Sequence, residues 1–171
     1  MSNLSDLATL RWRAVTFDAL TTTDLYRLLQ LRSAVFVVEQ ACVFQDLDGL
    51  DFAAVHLLGE VGQATALAKA AATSAAADGQ LWAYARLLPA GVSFPEASIG
   101  RVVTAPEGRG TGLGHALMRQ AVGELHRLWG PQPIRIGAQA HLQPFYRQSG
   151  FEPQGAPYLE DGIEHIEMVR A

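Results

Sequence analysis

One segment constrains the fold of this chain more than any other: Arg101 to Gly114, which reads RVVTAPEGRGTGLG. It passes from a strand-like run through a glycine-rich turn into an amphipathic helical pattern. The apolar residues of that pattern are Leu113, Leu117, Ala121 and Leu125. Glycines in the turn let backbone N–H groups converge without Cβ obstruction, and the helix start adds free N–H groups and a positive dipole end. The segment therefore predicts a pyrophosphate site; a turn that only connects two elements is the alternative.

Two common phosphate-binding motifs do not fit this segment. The pattern G-x-G-x-x-G fails in every register, because its last position falls on Leu113, His115 or Leu117. The P-loop pattern needs G-K-[ST], and no lysine lies near. What remains is Arg109-x-x-Gly112-x-Gly114 directly after a strand.

Composition excludes several classes of protein. With 49% hydrophobic and 18% charged residues, the 171-residue chain is too apolar for intrinsic disorder and long enough for one domain. A net charge of −4 without a basic run argues against a nucleic-acid binder. The single cysteine, Cys42, excludes an internal disulfide framework, and we predict no metal site. No secretory signal or apolar run of membrane-spanning length is visible, so we expect a cytoplasmic protein without membrane contact.

The hydrophobic pattern predicts the element order β-α-β-β-β-α-β-α-β-β, which favours an α/β fold with a mixed sheet. Strands are predicted at Leu10–Phe17, Ala54–Leu58, Leu81–Leu88, Glu96–Thr104, Pro133–Ala138, Phe151–Leu159 and Ile163–Val169. Helices are predicted from an N-cap within residues 21–24 to about Phe36, at Gly112–Trp129 and at His141–Gln148. We interpret residues 1–171 as a single domain with an insertion at about 62–79, where nine of the fourteen residues 64–77 are alanine.

The glycine-rich segment resembles the acetyl-CoA motif Q/R-x-x-G-x-G/A of the GNAT superfamily of N-acetyltransferases. A second landmark is the run Gln139 to Phe151, which is similar to the F/L-Y-x-x-x-G-F of that family. Further stretches, among them Phe36 to Asp51 and Glu160 to His165, look like the ElaA type of acetyltransferase. The resemblance implies a GNAT (acyl-CoA N-acyltransferase) sheet of about seven strands with four helices, and acetyl-CoA as cosubstrate.

The resemblance also implies site residues. Positions expected to contact acetyl-CoA are Val102, Val103 and Thr104 along the pantetheine arm, Arg109, Gly110, Thr111, Gly112, Leu113, Gly114 and His115 at the pyrophosphate, and Gln139, where many members carry asparagine. Tyr146 falls on the tyrosine that often protonates the departing CoA thiolate. Packing of its ring between helix and sheet is the alternative for Tyr146.

The chemistry also needs a base, because an amine must be neutral to attack a thioester. Candidates are Glu39, His56, His141 and His165; of these, Glu39 and His141 are predicted as tentative catalytic residues. Glu39 fits a solvated carboxylate equally well. The acidic loop with Asp46, Asp48 and Asp51 fails the EF-hand pattern, so it is either a folding element or an attractor of a cationic amine.

We therefore predict direct transfer of an acetyl group from acetyl-CoA to a primary amine in a ternary complex. The acceptor, a small molecule or a protein amine, is left open, and so is a homodimer. Alternatives are a CoA-binding sensor without catalysis and an acyltransferase that uses longer acyl chains.

Overall fold

The computed structural model describes residues 10–62 and 79–171. Its strands are β1 Leu10–Thr16, β2 Val55–Val61, β3 Gln80–Leu88, β4 Ala97–Thr104, β5 Ile134–Gln139, β6 Glu152–Glu160 and β7 Ile163–Arg170. Its α-helices are α1 Thr22–Arg32, α2 Leu113–Trp129 and α3 Gln143–Arg147. A π-helical segment, Ser33–Glu39, continues α1. The predicted element order is confirmed, with strand bounds within a few residues of the prediction.

The seven strands form one mixed sheet in the order β1-β2-β3-β4-β5-β7-β6. Neighbours are antiparallel except β4 and β5, which run parallel because α2 crosses between them. The predicted mixed α/β sheet is confirmed. Of the four expected helices, the described ranges contain three, together with the π-helical segment.

Helices cover both faces of the sheet. The apolar stripe of α2, with α3 beside it, packs on one face, while α1 and its π-helical extension cover the other. Leu57 and Leu58 on β2 show the alternation, since they lie in opposite core layers and are both almost fully buried. This three-layer arrangement explains why most positions of β2 and β3 are buried.

The first helix begins where the sequence predicts. Thr21 accepts a hydrogen bond from the Asp24 N–H at 3.0 Å, and the Asp24 carboxylate accepts one from the Thr21 N–H. This reciprocal capping box satisfies two otherwise free backbone donors.

The alanine-rich stretch lies outside the described residues. Its flanks do not: Val61 pairs with Gln80, so β2 and β3 are the arms of the hairpin that the sequence predicts there. No helix in the described part of the chain is long and apolar enough to cross a membrane.

Candidate active site

A cleft opens where β4 and β5 diverge. The two strands pair only at Ala97 with Ile134 and at Ser98 with Arg135. From Ile99 onwards, the edge of β4 that faces β5 pairs with no strand among the residues that the structure describes. Backbone donors and acceptors on such an edge are free to bond an extended ligand.

A bulge in β4 lies within this cleft. Tyr84 pairs with Val103 and Arg86 with Gly100, so β4 carries one more residue than β3 over this stretch. Arg101 has a φ of 50°, a left-handed backbone value that residues other than glycine rarely adopt. A bulge leaves its extra residue outside the ladder and turns its backbone groups in a new direction. The distortion lies directly before the predicted pantetheine positions Val102, Val103 and Thr104.

The glycine-rich turn presents an uncapped helix start. Gly110 and Gly112 have φ values of 74° and 90°, which favour glycine, and a Cβ added at either would meet nothing within 4 Å. No side chain caps α2, and its first turn holds no acidic residue. Thr111 closes the turn by donating from Oγ1 to the Gly108 carbonyl at 2.6 Å. Open space, free N–H groups and a positive dipole end fit a pyrophosphate.

Two polar bridges span the cleft from the π-helical segment. The Arg109 guanidinium donates to both carboxylate oxygens of Glu39, at 2.8 and 3.0 Å. Gln139 donates from Nε2 to Gln40 Oε1 at 3.1 Å. The predicted base Glu39 is therefore paired with a predicted pyrophosphate contact.

The cleft contains two adjoining cavities, and the residues that line both are Phe36, Gln40, Val102, Gln139, Leu142 and Tyr146. The first, of about 420 Å³, is lined by Val102, Val103, Thr104, Arg109, Gly114 and Gln139, and by Glu39 and His141. We call it the cofactor-side cavity, because it holds predicted acetyl-CoA contacts. The second, of about 220 Å³, is lined by residues of β4, β5, the β6–β7 hairpin and the loop after the π-helical segment, among them Cys42, Phe44, Arg101, Glu160 and His165. We call it the far cavity.

Tyr146 belongs to the core and to both cavities. Its ring meets Phe145 and Phe151 edge to face, at centroid distances of 5.0 and 6.3 Å. Burial raises the pKa of its phenol to about 12, so the hydroxyl stays protonated at neutral pH. A neutral phenol between two cavities can donate a proton to a group bound at their junction.

The acidic loop is held by arginines. Asp46 and Asp51 are buried and accept hydrogen bonds from Arg32 at 2.8 and 2.7 Å. Arg86 donates to both carboxylate oxygens of Asp48 at 2.7 Å. Burial pushes the pKa of Asp48 upwards, but the hydrogen bonds from Arg86 and the Leu50 N–H, together with the charges of Arg86 and Arg101, outweigh it and lower that pKa to about 2. These contacts support the folding role of the loop over attraction of a cation.

Arg101 joins this network from the far cavity. It donates from Nε to Asp46 at 2.7 Å and from Nη2 to Asp48 at 3.1 Å. The sequence did not indicate the partners of Arg32, Arg86 and Arg101, because they lie 14 to 55 residues away along the chain. One feature of the sequence could have indicated a buried ion pair: Arg32 lies within the apolar stripe of the first helix.

Comparison with known proteins identifies the family of this chain. Residues 59–171 match the family model described as "Acetyltransferase (GNAT) domain". The chain belongs to the GNAT acetyltransferase family. The ElaA resemblance is also confirmed: the chain is 39% identical to Protein ElaA of Escherichia coli K12 over 163 residues, covering 94% of this chain and 96% of that protein.

Two solved structures extend the comparison across the GNAT fold. An acyl-CoA N-acyltransferase from Pseudomonas aeruginosa is 42% identical, with a TM-score of 0.80 over 95% of this chain and 99% of its own. Escherichia coli ElaA is 38% identical, with a TM-score of 0.78 and the same coverage. The predicted GNAT sheet architecture is therefore confirmed.

Proposed function

We propose that this GNAT protein transfers an acetyl group from acetyl-CoA to a primary amine, by direct attack within a ternary complex. The observation that carries the proposal is the pair of adjoining cavities in the β4–β5 cleft. The cofactor-side cavity is bordered by β4 and by the start of α2 with its free N–H groups, and the far cavity adjoins it and shares Tyr146 as a lining residue.

In this proposal the acetyl-CoA pyrophosphate binds the turn from Arg109 to His115. The pantetheine arm lies along Val102, Val103 and Thr104, with Gln139 on the opposite wall. Strand-like hydrogen bonds to a free β edge fix an extended ligand without side-chain specificity. Arg109 needs to release or share its contact with Glu39 when phosphate binds.

The far cavity holds the acceptor amine in this arrangement. A backbone N–H of the β4 bulge stabilises the negative charge that develops on the carbonyl oxygen. Tyr146 gives its proton to the sulfur as the C–S bond breaks. Holding both substrates at one junction removes most of the entropy cost of their encounter.

The test is thiol release from acetyl-CoA in the presence of three amines: spermidine, an amino-acid amide and an Nα-acetyl-lysine peptide. We expect release that depends on an amine, together with one equivalent of acetylated product by mass spectrometry. Tight CoA binding without any turnover would contradict the proposal and favour a sensor. A rate that rises from acetyl- to hexanoyl- and decanoyl-CoA would instead favour an acyltransferase with longer chains.

A further inference from the structure

His165 lies at the wall of the far cavity. It stands on β7, where its Cα pairs with Gln139 of β5 on one side and Tyr158 of β6 on the other. Its half-buried ring stacks on Tyr158, with centroids 6.0 Å apart. It lines the same cavity as Tyr146 and is separated from the β4 bulge by strand β5.

One hydrogen bond sets the tautomer of His165. Its Nδ1 lies 2.9 Å from the Ile163 carbonyl oxygen. A carbonyl can only accept, so Nδ1 carries the proton and the neutral ring has its lone pair on Nε2. An imidazole held in this way offers a proton acceptor at its far end.

The other histidines are placed differently. His56 is fully buried, and both its ring nitrogens are engaged, by the Tyr84 hydroxyl at 2.8 Å and the Asp51 carbonyl at 3.0 Å. His115 lies beside Phe145 with its ring tilted by 35°, and His126 lies near the end of α2 beside the Gln132 carbonyl.

The two predicted bases lie on the other side of Tyr146. Glu39 and His141 both line the cofactor-side cavity, and neither lines the far cavity. Glu39 is also paired with Arg109. An amine that approaches the thioester from the far cavity meets His165 instead.

We propose that His165 is the general base that deprotonates the acceptor amine. The proposal rests on the proposed function, because it takes the far cavity as the acceptor site. His165 Nε2 takes one proton from the ammonium group, and the freed nitrogen lone pair forms the new N–C bond.

The remaining steps balance the reaction. The C–S bond breaks with its electron pair on sulfur, and Tyr146 supplies the proton that makes the free thiol. The second nitrogen proton leaves as the amide forms and restores Tyr146. The imidazolium of His165 then releases its proton to solvent, so that one amide, one CoA thiol and one proton are formed per ammonium and acetyl-CoA.

Several charged and polar groups surround His165 and the far cavity. These groups are Glu160 and Asp161 at the end of the β6–β7 hairpin, Glu167 on the same face of β7, Gln139 and Tyr158 on the paired strands, and Cys42, Arg101 and Tyr146 across the cavity. The one arginine among them is already paired with Asp46 and Asp48. Of the three carboxylates, Glu167 is already paired with Arg135 at 2.7 Å, while Glu160 and Asp161 line the cavity.

The variant His165→Asn removes the proposed base but can keep the hydrogen bond to the Ile163 carbonyl. Asparagine Nδ2 can still donate to the Ile163 carbonyl, but nothing replaces Nε2. With the best amine of the panel we expect kcat/KM to fall about 10²-fold near neutral pH, while the Kd for CoA stays unchanged. His126→Asn, the same change away from the cleft, is the control and should keep the wild-type rate.

The pH profile distinguishes a base from a packing residue. Without a base, only amine that is already neutral reacts, so the rate of His165→Asn should rise about tenfold per pH unit below the amine pKa, which is about 10 for a side-chain amine and about 8 for an α-amine. The deficit relative to wild type should therefore shrink as pH rises. A deficit that is the same at every pH, or a kcat/KM within threefold of wild type, would overturn the proposal.

A second measurement needs no turnover. Long-range ¹H–¹⁵N spectra, recorded at a pH where the imidazole rings are neutral, should show His165 as the Nδ1-protonated tautomer. The signals of His165 are assigned by their loss in His165→Asn. His56 should show the Nε2-protonated form, because its Nε2 faces a carbonyl. An Nε2-protonated His165 would overturn the proposal whatever the assay shows. Absence of amine-dependent turnover in the wild type would instead contradict the proposed function.

Discussion

Tyr146 is a packing residue to which the proposed mechanism also gives a chemical role. Its ring is part of the main core cluster, and its position at the junction of two cavities is what a proton donor to the sulfur needs. A substitution can separate the two roles, because the ring makes the packing contacts and the hydroxyl is the proposed proton donor.

Tyr146→Phe should lower turnover about 10²-fold and leave CoA affinity unchanged, since only the hydroxyl is lost. Steady-state kinetics and calorimetric CoA titration measure the two effects. Tyr26→Phe, at a tyrosine that is 69% exposed, is the matched control. A fall of less than threefold in a folded variant would make Tyr146 a packing residue and leave water as the proton donor.

Glu39 has two proposed roles that one substitution can separate. If its main role is the contact with Arg109, Glu39→Gln should raise CoA affinity severalfold, because a carboxylate no longer competes with phosphate for the guanidinium. If it is the base, turnover should fall while the affinity stays the same. The geometry favours the first result. Calorimetric CoA titration and steady-state kinetics of the same variant distinguish the two roles.

At the scale of elements, the turn before α2 depends on backbone conformation. Gly112 is the N-cap of α2 with a φ of 90°, and a side chain there would meet open space. The cost of a substitution is therefore conformational, about 1 kcal/mol for a left-handed residue, and steric only once phosphate approaches.

Gly112→Ala should weaken CoA binding by tenfold or more, as measured by calorimetry. Gly123→Ala is the matched control: Gly123 lies within α2, and its added Cβ also meets nothing within 4 Å. That change should stabilise the helix by about 0.5–1 kcal/mol and leave CoA affinity unchanged. Equal CoA affinity in Gly112→Ala and wild type would refute the pyrophosphate assignment.

The β2–β3 hairpin gives the second element-scale prediction. Removing residues 63–78 joins Gly62 to Gly79 between the paired residues Val61 and Gln80. Gly-Gly is a favoured two-residue hairpin turn, and loop length changes closure entropy only slowly. We expect unfolding free energy within about 1 kcal/mol of wild type and unchanged CoA affinity. Loss of cooperative urea unfolding would show that the segment contributes to the core.

At the scale of the whole molecule, the arginine–aspartate network ties α1 to the acidic loop, β3 and β4. Arg32 has no exposed side-chain surface and donates to Asp46 and Asp51. Removing one partner of a buried ion pair leaves the other charge buried and uncompensated.

Arg32→Met should therefore destabilise the protein by about 3–5 kcal/mol in urea unfolding. The control is Arg127→Met on α2, where a guanidinium that is 63% exposed pairs with Glu124. Surface pairs of this kind contribute about 0–1 kcal/mol. Similar losses in the two variants would mean that the network adds little to stability.

The sequence predicted the order of elements because apolar periodicity and turn residues act locally, as the capping box at Thr21 shows. It also located the glycine-rich turn, where three glycines within five residues allow the positive φ values found at Gly110 and Gly112. It did not predict the pairing of Arg32 with the acidic loop, nor the place of His165 at the far cavity. Both depend on contacts between distant strands and loops, which no local pattern records.

The wall that Arg101 forms has a consequence for how this protein can diversify. Arg101 borders the far cavity while two aspartates hold its guanidinium, so any change there that reshapes the cavity also loosens the fold. Glu160 and Asp161, on the opposite wall, are exposed and belong to a hairpin end. In descendants of this chain, substitutions that change the preferred acceptor should therefore accumulate on that hairpin, where a new side chain changes the free energy of unfolding little. The β4 wall should stay unchanged.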